Sequence, residues 1–584
     1  MRCGFRFFFL IIHATVLHAV ELDERWWPIQ KVPKSLVRTP VSNLSTDMMV
    51  QSIAGLAAQA VNDGAGDEMV WVDNGNPDMQ DWKVRWLGKH PEVTASNSIP
   101  AWELVKRFAE RGIIKGYILY RVDNSKGDLN AHRAGMDFSV NVATSMAGIL
   151  GGILVDEGLE QEAKVHGLRQ LMDARDKTQE WCFRNYRDQF NRKLLCTQDP
   201  KKPHVRDLAI AQKAFTVFGP GEPVASAMIW LEPLSPILGW NGGDEFLSTD
   251  LSSRYGHIQT ATDWCMNLPV LMAGSEKWES SKITAFNPAS IDWNDKRSAV
   301  SFVETDGDNV QWYEGNFFRS DSSYWSNPQR GRIPFGWSSC FAQLEQLYPQ
   351  AIDYAVSTAS TNDSFIEWGG GYYYPDRFAR DRKDRWELLG RQAARTWRLM
   401  KKSNTRIIGF NVMKFDSPDA LKSYEVFAGQ TDGLLGILVF QYAPYEAGGG
   451  KIFWVKDRGG IEIPVVTARY SIWENSNKRM QAGTPAKVAR EIVNTENTVR
   501  KEVPHYDWVI CHAWSYFKKA AGGDENAENM EQATASANDG MRGYAPVTWC
   551  ADRLPPSVRV VRPEELLWRI RMRHNADQTL PFIK

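Results

Sequence analysis

Asp306 and Asp308 flank a glycine in Thr305-Asp306-Gly307-Asp308-Asn309, directly after the apolar run Ala299–Glu304. Gly307 allows a sharp bend, and Gln311, Trp312, Tyr313 and Glu314 follow. Two carboxylates at a strand end can do acid/base work or grip hydroxyls. They can equally form an Asx-type turn that caps the next helix. Trp240-Asn-Gly-Gly-Asp244-Glu245 has the same composition. Adjacent acids cannot point the same way, so one of Asp244 and Glu245 faces a cleft and the other caps or pairs. A third run, Phe365–Trp368, feeds Gly369-Gly370-Gly371-Tyr372-Tyr373-Tyr374-Pro375. Its glycines permit tight turns, Pro375 stiffens the exit, and the phenols can stack on a ring and donate hydrogen bonds. The alternative is a structural loop zipped by tyrosines. His512 follows Trp508–Cys511 and can act as acid, base or hydroxyl binder, or as a hydrogen-bonded core residue.

The chemistry that fits is glycoside hydrolysis, which needs one protonated carboxylic acid and one ionised carboxylate. Glu245 is the expected acid and Asp306 or Asp308 the ionised partner, with Asp244, Glu314 and His512 as further candidates. Tyr372, Tyr373, Tyr374, Trp240, Trp312 and Trp514 form the expected sugar platform, with Gly369, Gly371, Pro375 and Asn309 beside them. A non-catalytic carbohydrate-binding protein would keep the rings and need no proton donor. A metal-dependent deacetylase could use the Asp306/Asp308 turn, but no H-x-x-x-H or H-E-x-x-H spacing occurs among the ten histidines. No metal site is therefore expected. Gly336-Trp-Ser338-Ser-Cys340 fails as a nucleophile elbow, and no phosphate-binding glycine motif is present, so no cofactor is expected either.

Gly369-x-Gly371-Tyr372-x-Tyr374-Pro375 matches in full the motif that names the "GxGYxYP putative glycoside hydrolases". Asp306–Gln311, Gly239–Glu245, Gly116–Tyr120 and Asn141-Val-Ala-Thr also resemble that family. The resemblance spans about residues 45–575. It implies an amino-terminal domain, a carboxyl-terminal domain bearing the motif, and action on a carbohydrate. It supplies no pair of catalytic acids.

Those residues must be positioned by alternating strands and helices. Met69–Val72, Gly116–Val122 and Gly152–Val155 read as strands, and helices are expected from Pro100, over Val142–Leu150, and carrying Leu159, Ala163, Leu168 and Leu171. This predicts a layered α/β domain over 21–218, ended by Phe218-Gly-Pro-Gly221. Further strands are expected at Ala227–Leu231, Ala299–Glu304, Phe365–Trp368, Ile407–Val412, Leu435–Phe440, Trp508–Cys511 and Val547–Trp549. Helices are expected over 384–402, from Thr484-Pro485 and from Pro563. Strands each followed by a helix suggest a (β/α) barrel-like domain over 219–584, with an open doubly wound sheet as the alternative.

Composition limits the partners. The 69 Lys and Arg balance 70 Asp and Glu, so no basic excess exists for nucleic acid. The 24 Trp nearly equal the 26 Phe, and many of these rings lie in Gly/Asp/Asn-rich segments that read as loops, where exposed rings usually recognise something flat and amphipathic, a character that sugars have. Residues 1–20 read as a signal peptide and no later run is long enough to span a membrane, so a secreted, extracellular protein is expected. Six cysteines remain beyond Cys3, as bridges or as buried thiols. Asn43 and Asn362 head glycosylation sequons.

Overall fold

The computed structural model describes residues 25–442, 448–473, 481–499, 503–518, 532–534 and 540–583. The expected signal peptide and Cys3 lie outside the described residues.

Three small parallel sheets build the amino-terminal half. β1 (Ser35–Pro40), β2 (Glu68–Asp73) and β3 (Thr94–Ser98) are ordered β2-β1-β3. β4 (Gly116–Tyr120), β5 (Gly152–Asp156) and β6 (Gln170–Asp173) are ordered β5-β4-β6. β7 (Leu195–Thr197), β8 (Phe215–Val217), β9 (Pro236–Gly239) and β10 (Ile258–Ala261) are ordered β10-β9-β7-β8. Parallel neighbours require crossovers, which the intervening helices supply. The helix Leu44–Asp63 ties the units together, touching β2, β5 and the helix Arg206–Ala211. Its faces are apolar nearly all round, as a central helix requires, and its ends are set by Asn43, which accepts from the Thr46 N–H at 2.9 Å, and by left-handed Gly64. The single layered domain expected over 21–218 is thus three sheets. The turn at Phe218–Gly221 falls inside the third, which pairs strands from both sides of it. A Gly/Pro turn therefore joins elements of one sheet here and marks no boundary.

The carboxyl-terminal half is one large sheet. In chain order its strands are β11 (Ser298–Glu304), β12 (Phe335–Ser339), β13 (Asp363–Trp368), β14 (Ile407–Val412), β15 (Gly436–Gln441), β16 (Ile452–Lys456), β17 (Glu462–Thr467), β18 (Tyr470–Ile472), β19 (Gln481–Gly483), β20 (Tyr506–Cys511) and, after the short hairpin β21 (Tyr516–Lys518) and β22 (Gln532–Thr534), β23 (Val558–Val560). The path runs β16-β17-β15-β14-β13-β12-β11-β20-β18-β19, with β23 also on β11. All these pairings are parallel except β16 with β17. The strands read as continuous apolar runs because both faces are covered. The sheet also curls round on itself. β17 lies on β15, whereas β18, only two residues further on, lies on β20. Ala468 donates to Val439 at 3.0 Å and Arg469 to Trp508 at 3.2 Å, so one stretch of chain bridges both flanks.

Several expected elements differ. Ala227–Leu231 is mostly the end of the helix Glu222–Trp230, and Val547–Trp549 lies in the helix Tyr544–Ala551. A short apolar run has no period that separates strand from helix, and Pro223 and Pro546 both sit in first turns. Leu168 and Leu171 are not helical: the helix Glu160–Val165 stops, Gly167 turns left-handed, and Leu171 enters β6. The six described cysteines are all buried, and none of them is bridged to another. Asn362 is half-buried, and its side-chain amide donates to Gly331 O at 2.7 Å. No helix among the described residues is long and apolar enough to cross a membrane.

Candidate active site

The turn after β11 is built around a contact only glycine can make. A Cβ on Gly307 would lie 2.1 Å from the Ser338 carbonyl oxygen of β12, and the Gly307 N–H donates to Ser338 Oγ at 2.8 Å. This pins the turn against the next strand. Asp306 is consequently held at φ +69, a strained conformation for a non-glycine residue of the kind that collects at functional sites. Thr305 Oγ1 donates to Asp306 Oδ2 at 2.6 Å, and His512 Nε2 lies 3.9 Å from the same oxygen. His512 is fixed by Ser515 Oγ, 2.6 Å from its Nδ1, and by stacking on Trp473 at 3.7 Å between centroids.

Asp306, Asp308 and His512 line a cavity of about 260 Å³ together with Glu245, Asn309, Trp240, Tyr372 and Trp514. Asn411, Phe440, Tyr442 and Trp473, at the carboxyl ends of β14, β15 and β18, complete one side. The amino-terminal half contributes Asn130, Trp240, Glu245 and Asp263, the last three following β9 and β10. Strands of both halves thus end at one mouth, where parallel α/β folds place their functional groups.

The adjacent acids divide the work. Asp244 is exposed and caps the helix Glu245–Arg254, accepting from the Phe246 N–H at 3.1 Å. Glu245 turns into the cavity. Burial first, then the charges of Asp306 and Asp244, push its carboxyl up to about 8. Asp308 is buried, and desolvation followed by Asp306 and Glu245 holds it well above the ordinary carboxylate value, although the Tyr372 hydroxyl hydrogen-bonds to it. Three acids within mutual electrostatic reach therefore do not all ionise at neutral pH.

The remaining candidates fall elsewhere. Glu314 does not line this cavity; it is buried and accepts the Met266 N–H at 3.1 Å. Trp312 is buried behind Trp514, 4.8 Å from it. Of the three tyrosines only Tyr372 lines the cavity, edge-on to Trp240 at 4.9 Å. Tyr373 packs inward on Phe378, and Tyr374 lies between Phe246 and Tyr442. With Tyr373 and Tyr374 packed on these neighbours, the three phenols do not form one platform in this cavity. Gly369 and Gly371 hold the backbone, both at positive φ, and Pro375 is buried. The loop is stitched to the amino-terminal half: Tyr372 N donates to Gln259 O at 2.9 Å and Gln259 N to Tyr372 O at 3.1 Å.

Three family models match the chain. Residues 296–520 match the "GxGYxYP putative glycoside hydrolase C-terminal domain", 114–190 the "GxGYxYP_N second domain" and 192–273 the "GxGYxYP third domain". The chain belongs to the GxGYxYP family. The matched segments begin and end close to the sheets described above, and the cavity draws on the C-terminal domain and on both amino-terminal ones. A solved structure described as a "putative hydrolase" from Bacteroides thetaiotaomicron shares the GxGYxYP protein's fold at TM-score 0.73 and 22% identity, covering 94% of this chain and 96% of that one. No curated protein matches. Among the described residues, no group of three or more His, Cys, Asp or Glu side chains has the geometry to hold a metal ion.

Sequence reasoning missed Asn130, Asp263, Asn411, Tyr442 and Trp473 of this GxGYxYP site. Asn411 and Tyr442 sit at the ends of β14 and β15, the kind of position that singled out Asp306 and Asp308. It also missed Glu304, the last residue of β11, which is buried and raised well above its ordinary value by desolvation and by Asp306 and Asp321.

Buried carboxyls raised in this way affect stability. Glu314 and Glu367 are both pushed up to about 8 by burial. In the folded chain they keep protons that the unfolded chain, with ordinary values near 4.5, has already released. Stability therefore falls as pH rises towards 8. The buried histidines His204 and His257, lowered to about 3, act in the opposite sense only below their ordinary 6.5. The unfolding midpoint measured by calorimetry is expected to be higher at about pH 6.5 than at about pH 8.5. A flat or rising midpoint across that interval contradicts the assignment.

Proposed function

We propose that this protein is a secreted glycoside hydrolase acting on an oligo- or polysaccharide, with Glu245 as general acid and Asp306 as its ionised partner. The observation that carries the reading is the single cavity in which Glu245, Asp306 and Asp308 meet Trp240, Tyr372, Trp473 and Trp514. Glycosidic cleavage asks for two carboxyl groups in different protonation states, and environments that push neighbouring carboxyls apart are how proteins meet that demand. Asp308, buried and hydrogen-bonded to Tyr372, acts as a positioning residue. We read the curled sheet as an irregular (β/α) barrel, with the stretch Glu462–Ile472 as the stave shared between β15 and β20. On this reading the acids sit at the barrel mouth.

The test is a screen of plant, algal and host glycans for released reducing sugar, with the native protein and Asp306→Asn side by side. Release by the native protein that is lost in D306N supports the reading. Release that persists undiminished in D306N assigns the cleavage to other residues. Binding by both proteins without release returns the chain to a non-catalytic carbohydrate-binding role.

A further inference from the structure

A larger cavity, about 610 Å³, adjoins the first, and Asn309, Gln311 and Trp514 line both. The first falls short of the roughly 300–1,000 Å³ of ordinary small-molecule sites, whereas the second lies within that range. Trp264 lines the second cavity and leaves 48% of its surface exposed. Its ring is nonetheless held in place. The Lys202 ammonium lies 4.0 Å from the ring centroid and the His204 ring 5.2 Å from it, while the Trp264 backbone N–H donates to Gln311 Oε1 at 2.8 Å and fixes the main chain. Lys202 is itself buried and paired with Asp263. A fixed indole with exposed surface offers an apolar face at little entropic cost.

The wall beside it supplies unused hydrogen-bonding capacity. His204 Nδ1, Asn309 Oδ1 and Trp312 Nε1 are buried and have no partner among the described residues. Buried polar atoms in that condition are completed by an ordered water or by a ligand hydroxyl that reaches them as the wall adjusts. The wall is also nearly free of net charge. Burial lowers His204 to about 3 and raises Glu314 to about 8, so both are neutral at pH 7. Asp78 is bound by Arg319 and Ser320.

We propose that this cavity is a second sugar subsite, where Trp264 stacks on an uncharged saccharide unit while the neighbouring unit of the same chain occupies the first cavity. The proposal rests on reading the first cavity as a sugar site.

The experiment titrates Glu245→Gln protein, alone and combined with Trp264→Ala or Trp264→Phe, with neutral oligosaccharide ladders of one to six units and with uronic-acid ladders of the same lengths. Calorimetry reads the affinity at each length, and thermal melts confirm folding. Affinity for a neutral ladder is expected to climb about tenfold or more with length, W264A to abolish that climb, and W264F to restore part of it. Affinity that is independent of length, or a climb that survives W264A, overturns the second subsite and leaves the first intact. A steeper climb on the uronic ladder overturns its uncharged character. Absence of binding to every ladder by the E245Q protein overturns this proposal together with the sugar reading beneath it.

Discussion

Replacing Glu245 by glutamine is expected to lower kcat/KM for a saccharide substrate by about 10²–10⁴-fold, the usual contribution of a positioned general acid. The carboxyl is held up to about 8 and so keeps its proton at neutral pH. Glutamine preserves its shape and can donate a hydrogen bond, but it has no proton to give to a leaving oxygen. Because Asp244, and not Glu245, caps the helix, the variant should fold normally. Two companion measurements separate loss of the acid from loss of structure. The native pH profile should fall on its basic side near 8, as Glu245 ionises, and that limb should vanish in E245Q. An aryl glycoside whose leaving group needs no protonation should lose far less than the natural linkage. Equal losses on both substrates would point to binding and would remove Glu245 from the acid role.

Gly371→Ala is expected to be severely destabilising, by roughly 2–5 kcal/mol from backbone strain and overpacking together. Gly371 has φ +124, outside the range that side-chain-bearing residues readily adopt. A Cβ there would lie 2.5 Å from Ile258 Cγ2 and 3.2 Å from Gln343 Nε2. Relief requires the loop to lift from β10, which breaks both hydrogen bonds between Tyr372 and Gln259. The effect should therefore appear twice, as a lower denaturant midpoint and as a loss of ligand affinity exceeding what instability explains. Ala at Gly88, where a Cβ meets nothing within 4 Å, serves as the control. A G371A midpoint matching that control contradicts the clamp.

Much of this site was legible in the sequence because strand ends carry their own punctuation. Asp306-Gly307-Asp308 and Asp244-Glu245 each follow an apolar run, and the constraint that neighbouring acids diverge was enough to expect one cap and one cavity-facing carboxyl. The Gly369–Pro375 loop was legible as special but not in its role. Its glycines read as tight-turn residues beside a sugar platform, and in the fold they also allow one segment to pair with β10, a partner more than a hundred residues away. Glu314 and Trp312 follow the acidic turn in sequence, yet the short helix Val310–Glu314 turns both away from the first cavity. Trp264 carried no local signal, since a lone indole after a strand is usually core. What the sequence withheld was long-range: which sheets share an opening, and which stretch of chain closes the large sheet.

The pairing of Tyr372 with Gln259 also bears on how this protein can be divided. A fragment starting near residue 296 would retain Asp306, Asp308, His512 and Tyr372 but forfeit Glu245, Trp240 and Asp263, and would expose the edge of the Tyr372 segment. Neither half owns the complete cavity. Recombining halves from different relatives would thus mix the two walls of a single cavity, and a chimera would keep that cavity only if the segments around Gln259 and Tyr372 still fitted each other.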